Sequence, residues 1–249
     1  MSLMLTWNMQ GGQGSYDSKW QALAGRIQRP AQYDLPEQPA IVFLQECSDV
    51  PGAETPQGWG QPPANITALS KNFGTSSRPL TYFIAHRRWG QGNNRVSYAV
   101  LVQTDPVNGQ AADLTGSVVV HGPPQGAPGT RPIVGVTMGT ATYYTMHAPS
   151  GVGAALSRTY VSDMIAAAAG AQGTDDYVIG GDFNCQPGDL YPQANPIPHG
   201  HLYESGEGTC GVRNLDYFTA NGSAANRTAL AQVTRINLIS DHIAVSAHY

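Results

Sequence analysis

The chain has 249 residues, 41% of them hydrophobic, enough for a real core, yet no window approaches the roughly 18 apolar residues that a helical membrane span needs. Charged residues make up only 12%, beside 29 glycines and 18 prolines, which fits many short elements joined by ordered loops better than a helical bundle. A net charge of -4 and a pI near 5.9 argue against a protein that coats nucleic acid by bulk electrostatics, although a cleft needs only local positive potential.

In chain order, residues 3–7 read as a buried strand ending at Asn8, followed by a Gly-rich loop from Gln10 to Ser15. A helix is predicted from a cap at Asp17 or Ser18 through Trp20, Leu23, Ala24 and Ile27, with Pro30 ending the region. A second buried strand covers 40–46. Residues 50–79 read as loop with a short strand near Ile66, and strands follow at about 80–85, 96–103 and 117–121. The segment from Arg87 to Arg95 is a basic, Gly-containing turn, either a solvated hairpin or a phosphate-contacting edge.

The stretch 122–130 is a turn-rich link inside a domain, and 132–138 with 141–147 forms a hairpin closed by Gly139-Thr140. From Ala154 to Ala169, Leu156, Tyr160, Met164, Ile165 and Ala168 share one helical face, with Gly170 as the stop. After the strand beginning at Tyr177, residues 186–213 are loop-rich; Leu215–Phe218, about 234–239 and Ile243–His248 read as strands. Many strands with two convincing helices predict a mixed α/β sandwich, as one domain over 1–249.

The chemistry lies at strand ends. Tyr177-Val178-Ile179-Gly180-Gly181-Asp182-Phe183-Asn184 is an apolar run that delivers a carboxylate and a carboxamide two residues apart, and strand alternation predicts that both point one way while Phe183 packs on the other face. The two glycines read as a turn or a close approach to a ligand. Trp7-Asn8, Leu44-Gln45-Glu46, Met146-His147 and Ser240-Asp241-His242 repeat the pattern, which suggests one shared site. Cys47, Cys185 and Cys210 lack the paired short spacing of zinc sites or disulfide frameworks, and one disulfide with a free thiol stays open. Cys185 has no dedicated base and reads as a structural neighbour. His86, His121, His199, His201 and His248 read as surface or loop residues. As written, Met1 runs into the first strand without a signal peptide, which is compatible with a cytoplasmic protein or with removal of a leader.

Together these segments, with Arg78-Pro79, Gly92-Asn93-Asn94-Arg95-Val96, Arg131-Pro132-Ile133-Val134-Gly135 and Leu215-Asp216-Tyr217, resemble in order the endonuclease/exonuclease/phosphatase superfamily that includes DNase I. The Asn-Arg-Val and Arg-Pro-x-x-Gly segments favour its cytolethal distending toxin branch. The resemblance implies a four-layer α/β/β/α sandwich of two packed sheets. It also implies a Mg²⁺-dependent phosphodiesterase, with Mn²⁺ or Ca²⁺ in support, that nicks DNA as the catalytic subunit of a genotoxin. Such a subunit is secreted, is delivered by separate binding subunits and acts in the target-cell nucleus. A phosphoinositide phosphatase on the same site and a catalytically dead binding module are the alternatives.

On this reading Glu46 and Asp241 serve the metal, Asn8 the metal shell or a phosphate oxygen, and His147 and His242 proton transfer, with Asp216 fixing His242. Asp182 and Asn184 orient the attacking water and the scissile phosphate. Arg95 and Arg131 contact phosphate, with Arg88 as a third, although each could instead pair with a surface carboxylate. Which histidine is base and which is acid stays open. Two departures stand out: no counterpart is found for the glutamate that DNase I pairs with the histidine matching His147, and Thr209-Cys210-Gly211-Val212-Arg213-Asn214 replaces the toxin branch's usual approach to Leu-Asp-Tyr.

Overall fold

The structure, a computed structural model, describes residues 2–10, 16–33, 35–88, 97–122, 131–150, 154–172, 176–190, 201–221, 231–236 and 240–248. Most of the Gly-rich loop after Gln10, of the basic turn to Arg95 and of the 122–130 link lies outside these residues. In chain order the elements are β1 (Leu3–Asn8), α1 (Tyr16–Gln28), β2 (Pro39–Gln45), β3 (Ile66–Asn72), β4 (Thr81–Arg87), β5 (Tyr98–Thr104), β6 (Val118–His121) and β7 (Ile133–Met138). They continue with β8 (Ala141–His147), α2 (Ala154–Gln172), β9 (Asp176–Asp182), α3 (Pro187–Leu190), β10 (His201–Tyr203), β11 (Asp216–Ala220), β12 (Ala231–Ile236) and β13 (Ala244–His248). Among the described residues the strands form two sheets, ordered β12-β13-β1-β2-β5-β4-β3 and β10-β11-β9-β8-β7-β6.

Three apolar layers hold this together. Phe43, Phe83, Tyr98 and Val100 of the first sheet meet Val134, Val136, Val178 and Phe218 of the second in a core between the sheets. Helix α1 lays Trp20, Leu23 and Ile27 on Leu3, Leu5, Trp7, Val42 and Leu44, at the outer face of the first sheet. Helix α2 lays Tyr160, Val161, Met164, Ile165 and Ala168 on Tyr144, Met146, Tyr177 and Ile179, at the outer face of the second. Central strands covered on both faces must be apolar throughout, which is why β2, β5 and β9 read as unbroken hydrophobic runs. The result is the four-layer sandwich that the resemblance implies.

The topology gives the sandwich one chemically distinct end. β1 and β2 run parallel with Asn8 beside Gln45, and β8 and β9 run parallel with His147 beside Asp182. β11 runs antiparallel to β9 and starts with Asp216 opposite Asp182, while β13 runs antiparallel to β1. Four strands therefore finish, and two start, at the same edge.

Several local expectations change. Helix α1 begins at Tyr16, so Asp17 and Ser18 lie in its first turn, where the Asp17 carboxylate complements the positive end of the helix. Gly170 does not stop α2, which continues to Gln172; a Cβ at Gly170 would meet nothing. β3 is a full strand paired with β4 along its length, and its outward Thr67, Lys71 and Asn72 hide it in a polar stretch of sequence. Gly180 and Gly181 form no turn, because β9 runs straight through both, and the space a side chain would take there is filled by protein. A Cβ on Gly180 would sit 2.6 Å from the Phe43 ring, and one on Gly181 would sit 2.0 Å from the Met146 carbonyl oxygen.

These contacts generate a graded prediction. Gly180→Ala, which crowds rings that can adjust, should destabilise by about 1–3 kcal/mol, and Gly181→Ala, which meets backbone of the paired strand, should cost at least as much. Denaturant unfolding of the two variants checks the order; a smaller loss for Gly181→Ala would contradict it.

Candidate active site

Asp182, at the end of β9, is the hub. Its Oδ2 accepts a hydrogen bond from Asn8 Nδ2 at 2.9 Å, across the gap between the sheets, and its Oδ1 accepts the backbone N–H of Asn184 at 2.9 Å. The same Oδ2 lies 3.7 Å from His147 Nε2 and 3.9 Å from His242 Nε2. Burial, reinforced by the nearby Asp216 carboxylate, holds the Asp182 carboxyl above the usual carboxylate range, although His242 pulls the other way.

The two imidazoles sit in different environments. His242 Nδ1 bonds Asp216 Oδ2 at 2.8 Å, and Thr209 Oγ1 donates to that same oxygen at 2.8 Å while accepting the backbone N–H groups of Leu215 and Asp216. Burial alone would lower the pKa of His242. The hydrogen bond and charge of Asp216, with Asp182 and Asp241, outweigh it and raise the value to about 9. His147 is 3% exposed and its Nδ1 has no hydrogen-bond partner among the described residues. Burial, with Arg131 and His242 nearby, holds its pKa well below the ordinary value, so it is neutral. Its Nε2 also lies 3.7 Å from Glu46 Oε1.

Other expected residues fall as follows. Asn8 is committed at both ends of its amide, since its Oδ1 accepts the Gln10 N–H at 2.9 Å, so it positions Asp182 as well as bordering the site. Asn184 is not on the strand: β9 ends at Asp182, Asn184 takes a left-handed backbone (φ 49°), and its Nδ2 donates to Ala148 O at 2.8 Å. Strand alternation therefore does not place it, although Phe183 does pack, stacked on Tyr217 with ring centroids 3.9 Å apart. Glu46 follows β2 in another left-handed conformation (φ 50°), and Asp241 is exposed. Ser240 Oγ donates to Asn8 O at 3.0 Å, binding the segment before β13 to the end of β1.

Arg131 is half-buried beside His147, and its Nη1 has no hydrogen-bond partner among the described residues. Arg88 instead forms a two-armed ion pair with Asp49, both largely exposed, which is the surface-pair alternative. Arg95 and His199 lie outside the described residues. His86 is not a surface residue: it is 4% exposed in β4 and bonds Ser48 O at 2.8 Å. His121 and His248 are half-buried within β6 and β13. All three cysteines are free, and burial pushes the Cys185 thiol up to about 11, as suits a structural neighbour.

Two contributors escaped the sequence reading. Lys19 is 1% exposed on the apolar face of α1, donates to Met9 O and Gln10 O, and feels the charges of both Asp241 and Glu46. Its place next to Trp20 in a chain with only two lysines was the available signal. Thr209 has none, because only the fold brings it to Asp216.

A buried acid–imidazole cluster at one end of a two-sheet sandwich defines a hydrolytic class of site, and the chain's relatives agree. The chain belongs to the Endonuclease/Exonuclease/phosphatase family, which it matches over residues 5–247. It is similar to a homolog of the CdtB subunit of cytolethal distending toxin in Salmonella typhi, with 32% identity over 154 residues, 58% of this chain and 49% of that protein. The chain thus matches about half the length of this curated relative. Its fold is shared with the cytolethal distending toxin of Haemophilus ducreyi (TM-score 0.75) and that of Actinobacillus actinomycetemcomitans (TM-score 0.72). Both are 22% identical to it, with 99% of this chain and 97% of theirs covered.

The raised value of His242 has a consequence for stability. A folded-state pKa near 9 against an ordinary 6.5 means that the His242–Asp216 pair stabilises fully below about pH 6.5 and loses that contribution as the pH rises through about 9. Urea unfolding in chelator should show this alkaline decline, and Asp216→Asn should flatten it. An equal decline in that variant would assign it to another group.

Proposed function

We propose that this protein is a metal-dependent phosphodiesterase whose principal substrate is DNA, which it nicks. The observation that carries the reading is the convergence of His147, Asp182 and the Asp216–His242 pair within hydrogen-bonding and charge-pairing reach at the shared end of both sheets. Diester hydrolysis needs an oriented water, a proton acceptor and donor, and charge stabilisation at the phosphorus. Asp182, fixed by Asn8 and by the Asn184 N–H, orients the water. His147 is the neutral imidazole of the pair, suited to accepting a proton. His242 is the charged one, suited to protonating the leaving oxygen, with Asp216 holding its tautomer and ring plane.

The donor set fits a hard divalent ion. Glu46 and Asp241 supply carboxylate oxygens in the field of one lysine, and Asn8 Oδ1 keeps a second lone pair; Mg²⁺ needs only one or two carboxylates beside water and phosphate. Held by these residues, a Mg²⁺ would supply Lewis-acid polarisation of the phosphate and offset its charge. Lys19, tied to the Met9 and Gln10 carbonyls, fixes the loop on this side.

Arg131 favours the DNA reading, since an extended backbone offers a flanking phosphate to a cation with an unused donor. With two lysines and a net charge of -4, the chain has little to draw it to an anionic membrane, as a phosphoinositide phosphatase would require. The toxin-like relatives extend the proposal to a secreted subunit that works with separate delivery subunits and acts on nuclear DNA of a target cell.

Plasmid nicking with and without EDTA tests the reading. We expect Mg²⁺-dependent nicking, and losses of roughly 10²–10⁴ in turnover for His147→Ala, Asp182→Ala and His242→Ala, the triple variant being little worse than the worst single. Near-normal activity in a folded single variant would remove that residue from the mechanism. Nicking no greater than the Asp182→Ala background would reject the nuclease, and efficient turnover of a soluble short-chain phosphoinositide alongside it would replace it with the phosphatase. Separately, Arg131→Ala should reduce the salt dependence of DNA binding by about one phosphate contact.

A further inference from the structure

One side chain at the mouth of the site has no part in the proposed hydrolysis. The sulfur of Cys210, a carboxylate oxygen of Asp241 and a ring nitrogen of His242 all lie within 4.8 Å of one another. Backbone contacts fix the cysteine there. Cys210 and His242 form an isolated antiparallel bridge, Ile243 N donates to Thr209 O at 2.7 Å, and the turn is closed by reciprocal Cys210–Arg213 backbone bonds of 3.0 and 3.2 Å.

The chemistry of the three groups differs from that of the Mg²⁺ side. Thiolate, imidazole and carboxylate form a ligand set for Zn²⁺ and other borderline ions, whereas a hard ion would use the carboxylate alone. His242 is also oriented as a ligating imidazole usually is: its Nδ1 is held by the Asp216 carboxylate at 2.8 Å, which leaves Nε2, 3.9 Å from Asp182 Oδ2, as the nitrogen that a metal would take. In a tetrahedral zinc site ligand atoms stand about 3.5 Å apart, and the exposed Asp241 can rotate to bring its oxygen to that spacing. Three protein ligands with a fourth position for water match the pattern of accessible zinc sites.

We propose that Cys210, Asp241 and His242 form a second metal site, sharing Asp241 with the Mg²⁺ side, for Zn²⁺ or a similar thiophilic divalent ion, and that its occupation inhibits the enzyme by taking His242 and Asp241 away from the reaction. On binding, the Cys210 thiol and the charged His242 ring each release a proton to solvent, the latter from Nε2, and the freed sulfur and nitrogen lone pairs form the bonds to the metal; nothing is oxidised or reduced. The site adds to the hydrolase reading without depending on it, since metal binding can be measured without turnover.

Co²⁺ added alone to the full chain serves as the optical probe. The wild type should show a near-ultraviolet thiolate-to-cobalt charge-transfer band that Zn²⁺ abolishes, and Cys210→Ser and Cys210→Ala, folded by circular dichroism, should both lack it. In the Mg²⁺-supported assay both variants should retain activity and need roughly 10-fold more Zn²⁺, or more, for half-inhibition. A missing band in the folded wild type, a band that survives in both variants, or unchanged zinc sensitivity in both would overturn the proposal. If the chain shows no hydrolysis at all, the cobalt band and its displacement by zinc decide the site without the activity assay.

Discussion

The bond from Asn8 Nδ2 to Asp182 Oδ2 joins the two sheets at the end where the chemistry lies, and most of the site is arranged by it. A buried carboxylate without a donor is costly, so the pair can form only if β1 and β9 approach in one register. A parallel clasp lies one strand away, where buried Gln45 donates to Thr145 Oγ1 at 2.9 Å. Deeper in the sandwich, Gly180 gives room for Phe43, so apolar packing and the polar clasps demand the same spacing.

Within that frame one carboxylate serves two imidazoles that are unlike each other. Asp182 Oδ2 stands almost equally far from the Nε2 atoms of His147 and His242, yet the second partners differ: Asp216 for His242, and a neighbouring Arg131 for His147. An adjacent carboxylate favours imidazolium, while burial beside a guanidinium favours the neutral ring. The asymmetry between donor and acceptor thus comes from environment, the histidines themselves being identical. Among the described residues, His147 Nδ1, Asp216 Oδ1 and Arg131 Nη1 are buried polar atoms without hydrogen-bond partners at this site, and others lie elsewhere in the chain. Buried unsatisfied groups are usually avoided, and a polar ligand would relieve these three.

The chain's overall negative charge and its proposed polyanionic substrate are reconciled by placement. Arg88 is spent on Asp49 at the surface, whereas Arg131 stands beside His147. Lys19 is buried in the field of Asp241 and Glu46 and donates to the Met9 and Gln10 carbonyls. A few cations held at the cleft can serve a phosphodiester where bulk charge cannot.

The apolar strands and the polar groups at their ends were legible in the order of residues alone, because a strand covered on both faces must be hydrophobic until it leaves the core. Asn8, Glu46, His147, Asp182, Asp216 and His242 stood out for that reason, and the two main helices from their apolar periodicity. Folding was needed to establish relations across large separations in sequence: the pairing of Asn8 with Asp182, the role of Gly180 and Gly181 as packing glycines, and the capture of Arg88 by Asp49. Asn184 left the strand pattern because the backbone turns left-handed just beyond Asp182. Thr209 and Cys210 carry no local signal of their place in the site, and Lys19 only its position next to Trp20. Periodicity reports which face of an element is buried, whereas contacts between elements depend on sheet order and register, and those are fixed only when the two sheets pack.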